Sequence, residues 1–290
     1  VTSPAVTPIT GRLVVTGARG QLGRALLALA PAARGYGRAE LDITDPDAVR
    51  AVVNPGDVVV NCAAYTAVDQ AESDVDAAFA VNATGPAVLA TVCAAAGARL
   101  VTVSTDYVFP GDAESPYEPG DPTGPATVYG RSKLAGEQAV LENDPNARIV
   151  RTAWVYTGQG SDFVATMRRL ERERETVNVV ADQLGSPTYA IDLAAGLLEL
   201  AARSDGPGIP RILHATNAGQ ASWFELARAV FAGVGADPER VHPCGTADFP
   251  RPAPRPAYSV LSGKSWAAAG LTPLRDWRLG LDDALSAISD

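Results

Sequence analysis

Residues 12–30 read RLVVTGARGQLGRALLALA, and the fold turns on them. Arg12 to Thr16 is a short β-branched run that stops at Gly17, the pattern of a strand buried on both faces of a parallel sheet. Gly17-Ala18-Arg19-Gly20-Gln21-Leu22-Gly23 follows, overlapping the start of an apolar helix from Leu22 to Ala30. A strand, a glycine turn and a helix in that order let backbone amides approach a pyrophosphate at a helix N-terminus. The glycine spacing is GxxGxxG rather than GxGxxG, so a turn that only packs the helix on the strand stays an alternative. Gly17, Arg19, Gly20, Gln21, Leu22 and Gly23 are the candidate cofactor contacts here.

The same rhythm repeats downstream. Asp57 to Val60 (DVVV) is a buried strand ending in Asn61-Cys62-Ala63-Ala64-Tyr65-Thr66, and small residues there leave room for a flat ligand. Arg99 to Val103 is the next strand, followed by Ser104-Thr105-Asp106-Tyr107-Val108-Phe109-Pro110-Gly111. Ala147 to Arg151 leads to Thr152-Ala153-Trp154-Val155-Tyr156. Between them lie a helix from Pro46 with Asp45 as its cap, helical stretches over 73–83 and 86–96, and a helix from about Thr127 to Leu141. Pro110 to Pro125 is a long loop without structure, the kind that serves as a lid. The fold class is therefore α/β, a Rossmann-like doubly wound parallel sheet with a smaller, discontinuous C-terminal substrate-binding domain. Residues 11–156 form the dinucleotide-binding domain, with 189–213 returning to it. Residues 157–188 and 214–290 form the second domain, which ends in a helix from Trp277 to about Ile288, and 1–10 are a loose tail.

The chain has 290 residues, 47% hydrophobic and 20% charged, with a net charge of −9 and no basic run. That balance argues against nucleic acid and anionic membrane as partners. Cys62, Cys93 and Cys244 show no paired spacing, and His214 and His242 stand apart from any ligand pattern. No disulfide framework and no metal set is expected, and a reduced cytoplasmic setting fits. No run approaches 18 uninterrupted apolar residues, so no membrane span is expected.

Tyr129-Gly130-Arg131-Ser132-Lys133 places a phenol and an ammonium about one helical turn apart. An ammonium there favours phenolate and lowers the tyrosine pKa toward neutrality, unless the pair is only a solvated face. The second strand belongs near Ala33 to Ala39, where an NAD site carries an acid for the ribose hydroxyls. Here the region offers Gly37 and Arg38, with Arg19 in the glycine turn. Two arginines and no acid favour the 2′-phosphate of NADPH, with NADH and simple solvation as the alternatives. Trp154 is either core or an indole face for a sugar.

Taken together these pieces resemble the extended short-chain dehydrogenase/reductase family: glycine turn, NCAA, a Ser/Thr after the fourth strand, then YxxxK. The finer pattern resembles its members that act on dTDP-4-keto-6-deoxy sugars, through NCAAYTAVDQAE (61–72), STDYVFPG (104–111), YGRSKLAGE (129–137), RTAWVY (151–156), DQLGSPT (182–188) and RPxxSxL (255–261). The resemblance implies NADPH-dependent reduction of the C4 keto group of dTDP-4-dehydro-L-rhamnose, or of another dTDP-4-keto-6-deoxy sugar. It implies Thr105, Tyr129 and Lys133 as catalytic residues, Lys133 also holding the nicotinamide ribose. Asp42 and Ile43 fall at the adenine, and Ala63, Ala64, Tyr65 and Thr66 at the nicotinamide. Val68, Thr105, Asp106, Tyr107, Tyr129, Trp154 and Arg255 fall on the sugar-nucleotide side, Arg255 meeting the diphosphate. Some relatives form magnesium-bridged dimers through acidic residues; no such set maps onto this chain, which is expected as a monomer or homodimer. A non-catalytic NAD(P)-binding subunit would not need Thr105, Tyr129 and Lys133 together.

Overall fold

Four apolar runs become the buried centre of one sheet. The computed structural model describes residues 9–203 and 208–287, so residues 1–8 of the expected tail and the helix end at Ile288 lie outside the described residues. In chain order the first part runs β1 (Leu13–Thr16), α1 (Gln21–Leu29), β2 (Arg34–Tyr36), α2 (Pro46–Val52), β3 (Val58–Asn61), α3 (Val68–Ala71) and α4 (Val75–Phe79). A π turn (Ala80–Thr84) joins α4 to α5 (Gly85–Ala96), and β4 (Arg99–Thr105), α6 (Val128–Asn143), β5 (Arg148–Thr152) and β6 (Val155–Tyr156) follow. Then come α7 (Phe163–Glu173), β7 (Val177–Val180), β8 (Leu184–Gly185), β9 (Thr188–Tyr189), α8 (Ala190–Arg203) and β10 (Ile212–His214). The last part holds β11 (Ala221–Ser222), α9 (Trp223–Gly233), β12 (Val241–Cys244), α10 (Lys264–Ala268) and α11 (Trp277–Ser286).

The main sheet has the order β10-β5-β4-β3-β1-β2, and every neighbouring pair is parallel. β1, β3 and β5 are buried at every position, because helices cover both faces. On one face α1 and α8 close over Val15, Val60, Val101 and Val150. On the other, α2 and α5 pack over Val14, Val59, Leu100 and Ile149. β2 is largely exposed because it is an edge strand, so it has no need of an apolar run. This is the doubly wound Rossmann-like fold, and the strand order reverses between β1 and β3. Ligands in such sheets bind in the crevice at the carboxyl ends of those strands.

Local signals hold the elements in place. The Asp45 carboxylate accepts from the amides of Asp47 and Ala48, with Pro46 at the first position of α2. The helical run 75–96 is long and apolar enough by composition to cross a membrane. Here Leu89, Ala90, Val92 and Cys93 are buried in the core beside the sheet, and the run packs on α6. A second cluster joins Tyr156, Val164, Met167, Leu226, Phe231, Trp277 and Leu281, so α7, α9 and α11 share their own core.

Loop 110–125 is more ordered than expected. The Tyr117 hydroxyl accepts from the amides of Gly111, Asp112 and Ala113. The Tyr117 ring stacks on Phe109 at 4.2 Å, and the loop bridges to the 251–262 arm at Asp112–Tyr258 and Tyr117–Leu261.

Candidate active site

The glycine turn lies at the switch point. Gly17 has φ +67°, and a Cβ there would come within 2.5 Å of the Ala63 nitrogen. A Cβ on Gly23 would stand 2.3 Å from the Gly17 carbonyl oxygen and 2.7 Å from the Ala18 Cα. The turn therefore folds tightly against the end of β3 only because both side chains are absent. Gly20 is the N-cap of α1 and no side chain caps that helix, which leaves its amides for an anion. Gln21 points to the second cluster, its Nε2 3.4 Å from the Asp162 carboxylate, while Leu22 is buried in the core. The cradle fits a dinucleotide pyrophosphate.

At the end of β2 the sequence reading needs correction. Glu40 pairs with Arg19, and its second oxygen accepts from the Gly37 amide at 2.9 Å. An acid does stand there, brought back by the turn after β2; the Arg19 guanidinium holds its carboxyl below the usual range. Arg38 is exposed. Asp42 accepts from the Thr44 amide and hydroxyl, which lower its pKa. The Ile43 side chain is buried in the core beneath α5.

Tyr129 and Lys133 both lie on the buried side of α6. The helix is started twice over: Thr127 accepts from the Gly130 amide at 3.0 Å, and Glu72 accepts from the Val128 amide at 2.9 Å. Thr105 closes β4, and its hydroxyl donates to the Asp106 carboxylate at 2.9 Å while accepting from the Tyr107 amide. Burial pushes Asp106 up to about 6, against the pull of the Ser259 and Thr105 hydroxyls. Tyr107 meets Tyr129 edge-on at 5.5 Å, and Val68 and Tyr65 pack on the same aromatic group.

The electrostatics differ from the expectation for Tyr129. Burial pushes its hydroxyl up to about 12, partly offset by hydrogen bonding from Thr105. Lys133 does not set it, because the ammonium donates to the Val103 carbonyl at 2.7 Å. Burial brings Lys133 itself down to about 8, opposed by the charge of Glu137. Spacing on a helix fixes that two side chains share a face, but the direction of a long lysine depends on what it packs against.

On the opposite wall, Trp154 is the one non-glycine residue at positive φ among the described residues, at +48°. Its ring stacks on Trp223 of α9 at 3.5 Å, and a Cβ on Gly185 would fall 2.3 Å from its Cε2, so both indole faces are covered and only the ring edge is left. It is neither plain core nor an open platform. Arg255 donates to Asp69 of α3 at 2.8 Å and to the Ala253 carbonyl at 2.9 Å. Asp69 also accepts from the Ala253 amide, so one carboxylate clamps the arm. Beside Arg255 lies a cleft of about 120 Å³ lined by Tyr107, Phe109, Thr127, Pro254, Arg255 and Pro256 among others. A larger open groove of about 610 Å³ between α7, α9 and α11 shares no residue with this site. Among the described residues no group of three or more His, Cys, Asp or Glu could hold a metal ion.

Asn82 carries no role in the sequence reading, yet it ties the site together. In the π turn its Oδ1 accepts from the Tyr65 amide, and its Nδ2 donates to the Tyr65 carbonyl and the Ser132 hydroxyl. The segment carrying Ala63 to Thr66 is thereby fixed to α6. The signal was present: a lone amide in an Ala-rich helix needs partners when buried. Asn82→Ala is expected to cost about 2 kcal/mol and lower the melting temperature by a few degrees, read by thermal denaturation.

Residues 11–289 match the family model of the RmlD substrate binding domain. The dTDP-4-dehydrorhamnose reductase of Mycolicibacterium smegmatis is 58% identical over 284 residues, covering 96% of this chain and 86% of that protein. A Streptomyces antibioticus protein, a probable dTDP-4,6-dihydroxy-2-methyloxan-3-one 4-ketoreductase, is 49% identical, covering 96% and 95%. The crystal structure of dTDP-4-dehydrorhamnose reductase from Bacillus anthracis in complex with NADP superposes with a TM-score of 0.89 at 38% identity, covering 96% and 100%. A glycine cradle at the switch point, a Thr105–Tyr129–Lys133 edge beside it and a match along nearly the whole chain agree: this protein belongs to the RmlD substrate binding domain family.

Proposed function

We propose that this chain reduces the C4 carbonyl of dTDP-4-dehydro-L-rhamnose with NADPH, giving dTDP-L-rhamnose. The observation that carries the reading is the convergence of Thr105, Tyr129 and Lys133 on the crevice beside the glycine cradle, with the Arg255 arm across the cleft. Gly17, Gly20, Gln21 and Gly23 would hold the pyrophosphate, Lys133 the nicotinamide ribose, and Ala63 to Thr66 the nicotinamide. The bound cofactor supplies the hydride that goes to C4. Thr105 and Tyr129 border the position of the carbonyl oxygen, and the Tyr129 hydroxyl gives that oxygen its proton as negative charge develops there. The high pKa of Tyr129 keeps its proton in place until the oxygen needs it. The lobe built on the second cluster, residues 157–188 and 214–290, is read as the substrate side, with Trp154, Tyr107 and Arg255 facing the sugar nucleotide. The three unpaired thiols fit a cytoplasmic enzyme.

The test is NADPH consumption with dTDP-4-dehydro-L-rhamnose beside other dTDP-4-keto sugars. Turnover preferring the first supports the reading; none with any of them overturns it. The Streptomyces antibioticus relative favours the second reading, a reductase of a different dTDP-keto sugar, and the same panel separates the two.

Cofactor choice rests on Arg19 and Arg38. Replacing both with alanine is expected to lower kcat/KM with NADPH about tenfold or more relative to NADH, since each charge-assisted contact to a phosphate contributes on the order of 1.5–3 kcal/mol. Glu40→Gln frees Arg19 and moves that ratio the other way. Steady-state kinetics with both cofactors read both effects.

A further inference from the structure

Two residues from the YGRSKLAGE and RTAWVY stretches have no part in the proposed reaction. Glu137 lies on α6 one turn beyond Lys133, and Arg151 lies on β5. Arg151 grips the carboxylate with both sides of its fork, Nε to Oε1 at 2.9 Å and Nη2 to Oε2 at 2.6 Å. Each side chain is 3% exposed. Arg151 also donates to the Pro119 carbonyl at 3.2 Å, and its guanidinium lies 4.9 Å from the Phe109 ring centre. A buried ion pair gains little stability over apolar residues of the same size, so its presence calls for another reason.

Lys133 provides one. Its ammonium is buried and donates to one backbone carbonyl. The charged and titratable groups around it are few. Cys62, at the end of β3, is a thiol that burial holds protonated, pushed up to about 12. Tyr129, one turn back on α6, is neutral for the same reason. Asp106 lies beyond Thr105. His214 of β10, beyond Arg151, is neutral, its pKa brought down to about 3 by burial and by Arg151. That leaves Glu137 as the fixed negative charge next to Lys133.

We propose that Glu137 and Arg151 are positioning residues of the reduction: Glu137 is the counter-charge that keeps Lys133 an ammonium, and Arg151 divides that carboxylate between Lys133 and loop 110–125. The inference rests on the proposed function only in taking the ammonium form as the working one. A lysine works below its pKa and fails as pH rises through it. Removing Glu137 therefore moves the alkaline limit of the reaction down. Removing Arg151 leaves the carboxylate to Lys133 alone and moves the limit up.

The sequence makes a direct test possible, because Lys133 and Lys264 are the only lysines. Protein labelled with ¹³C at lysine Cε gives two titrating NMR signals, and exposed Lys264 is the internal control. Glu137→Gln is expected to lower the Lys133 titration by about two pH units, the effect of one charge a helical turn away at an effective dielectric of about 20. Arg151→Met is expected to raise it. The Glu137→Gln/Arg151→Met double variant, which leaves neither member of the ion pair buried without the other, is expected to fold and to shift down. The alkaline limb of kcat/KM should follow the NMR titration in each variant. Variants that leave Lys133 titrating as in the wild type, or move it in one common direction, overturn the proposal. Where Glu137→Gln alone does not fold, an unshifted double variant overturns it. A wild type that reduces no dTDP sugar overturns the proposed function instead, and the titration still decides this proposal.

Discussion

Tyr129→Phe is expected to lower kcat by about 10²–10⁴ while NADPH binding and thermal stability hold. The separation follows from what the ring and the hydroxyl each do. The ring is buried and meets Tyr107 edge-on at 5.5 Å, and phenylalanine keeps that packing. In the proposed reaction the hydroxyl is the group that carries the proton to the sugar oxygen. Thr105 cannot replace it, because a hydroxyl bonded to Asp106 is a much weaker acid and gives its hydrogen bond elsewhere. Single-turnover rates with saturating NADPH, beside a thermal melt, read the two effects apart. A Phe variant with wild-type kcat would remove Tyr129 from the chemistry.

Gly23→Ala is expected to weaken NADPH binding at least tenfold and to destabilise the protein by about 1–3 kcal/mol. Alanine is the better helix former by about 1 kcal/mol, so on propensity alone the change should stabilise α1. The clash wins because the atoms in the way are backbone: the Gly17 oxygen at 2.3 Å, the Ala18 Cα at 2.7 Å and the Gly17 carbonyl carbon at 2.9 Å. None can rotate aside, so the turn must open and its amides lose their aim at the pyrophosphate. Gly120→Ala is the control for stability, since nothing lies within 4 Å of its added Cβ; its change should stay within about 0.5 kcal/mol. Fluorescence titration with NADPH and denaturant unfolding measure both. Wild-type affinity in Gly23→Ala would contradict the cradle.

What the sequence disclosed about this site is what local geometry determines. A glycine turn between a buried strand and a helix has one backbone solution, so β1, the turn and α1 were legible from residues 12–30. YxxxK fixes a shared helix face in the same way. Its electrostatics were not legible, because Lys133 finds the Val103 carbonyl on a neighbouring strand. Glu40 was overlooked for a related reason: only the folded turn after β2 returns its carboxylate to Arg19. β2 itself gave a weak signal since an edge strand needs no apolar alternation. Asn82, Asp69 and Glu72 act across the fold, on Tyr65, the 251–255 arm and the start of α6, and no spacing along the chain encodes those meetings. The Trp154–Trp223 stack joins residues far apart in the chain, and a strained backbone at Trp154 is invisible in composition.

The most direct test of the central claim follows the hydride itself. Wild-type protein is given dTDP-4-dehydro-L-rhamnose and NADPH carrying deuterium at both C4 positions of the nicotinamide, and the sugar is read by NMR. Direct hydride transfer predicts one deuterium at sugar C4 in dTDP-L-rhamnose, formed in step with NADPH loss, and almost none with Tyr129→Phe over the same time. NADPH consumed without deuterium at C4, or no product at all, would contradict it.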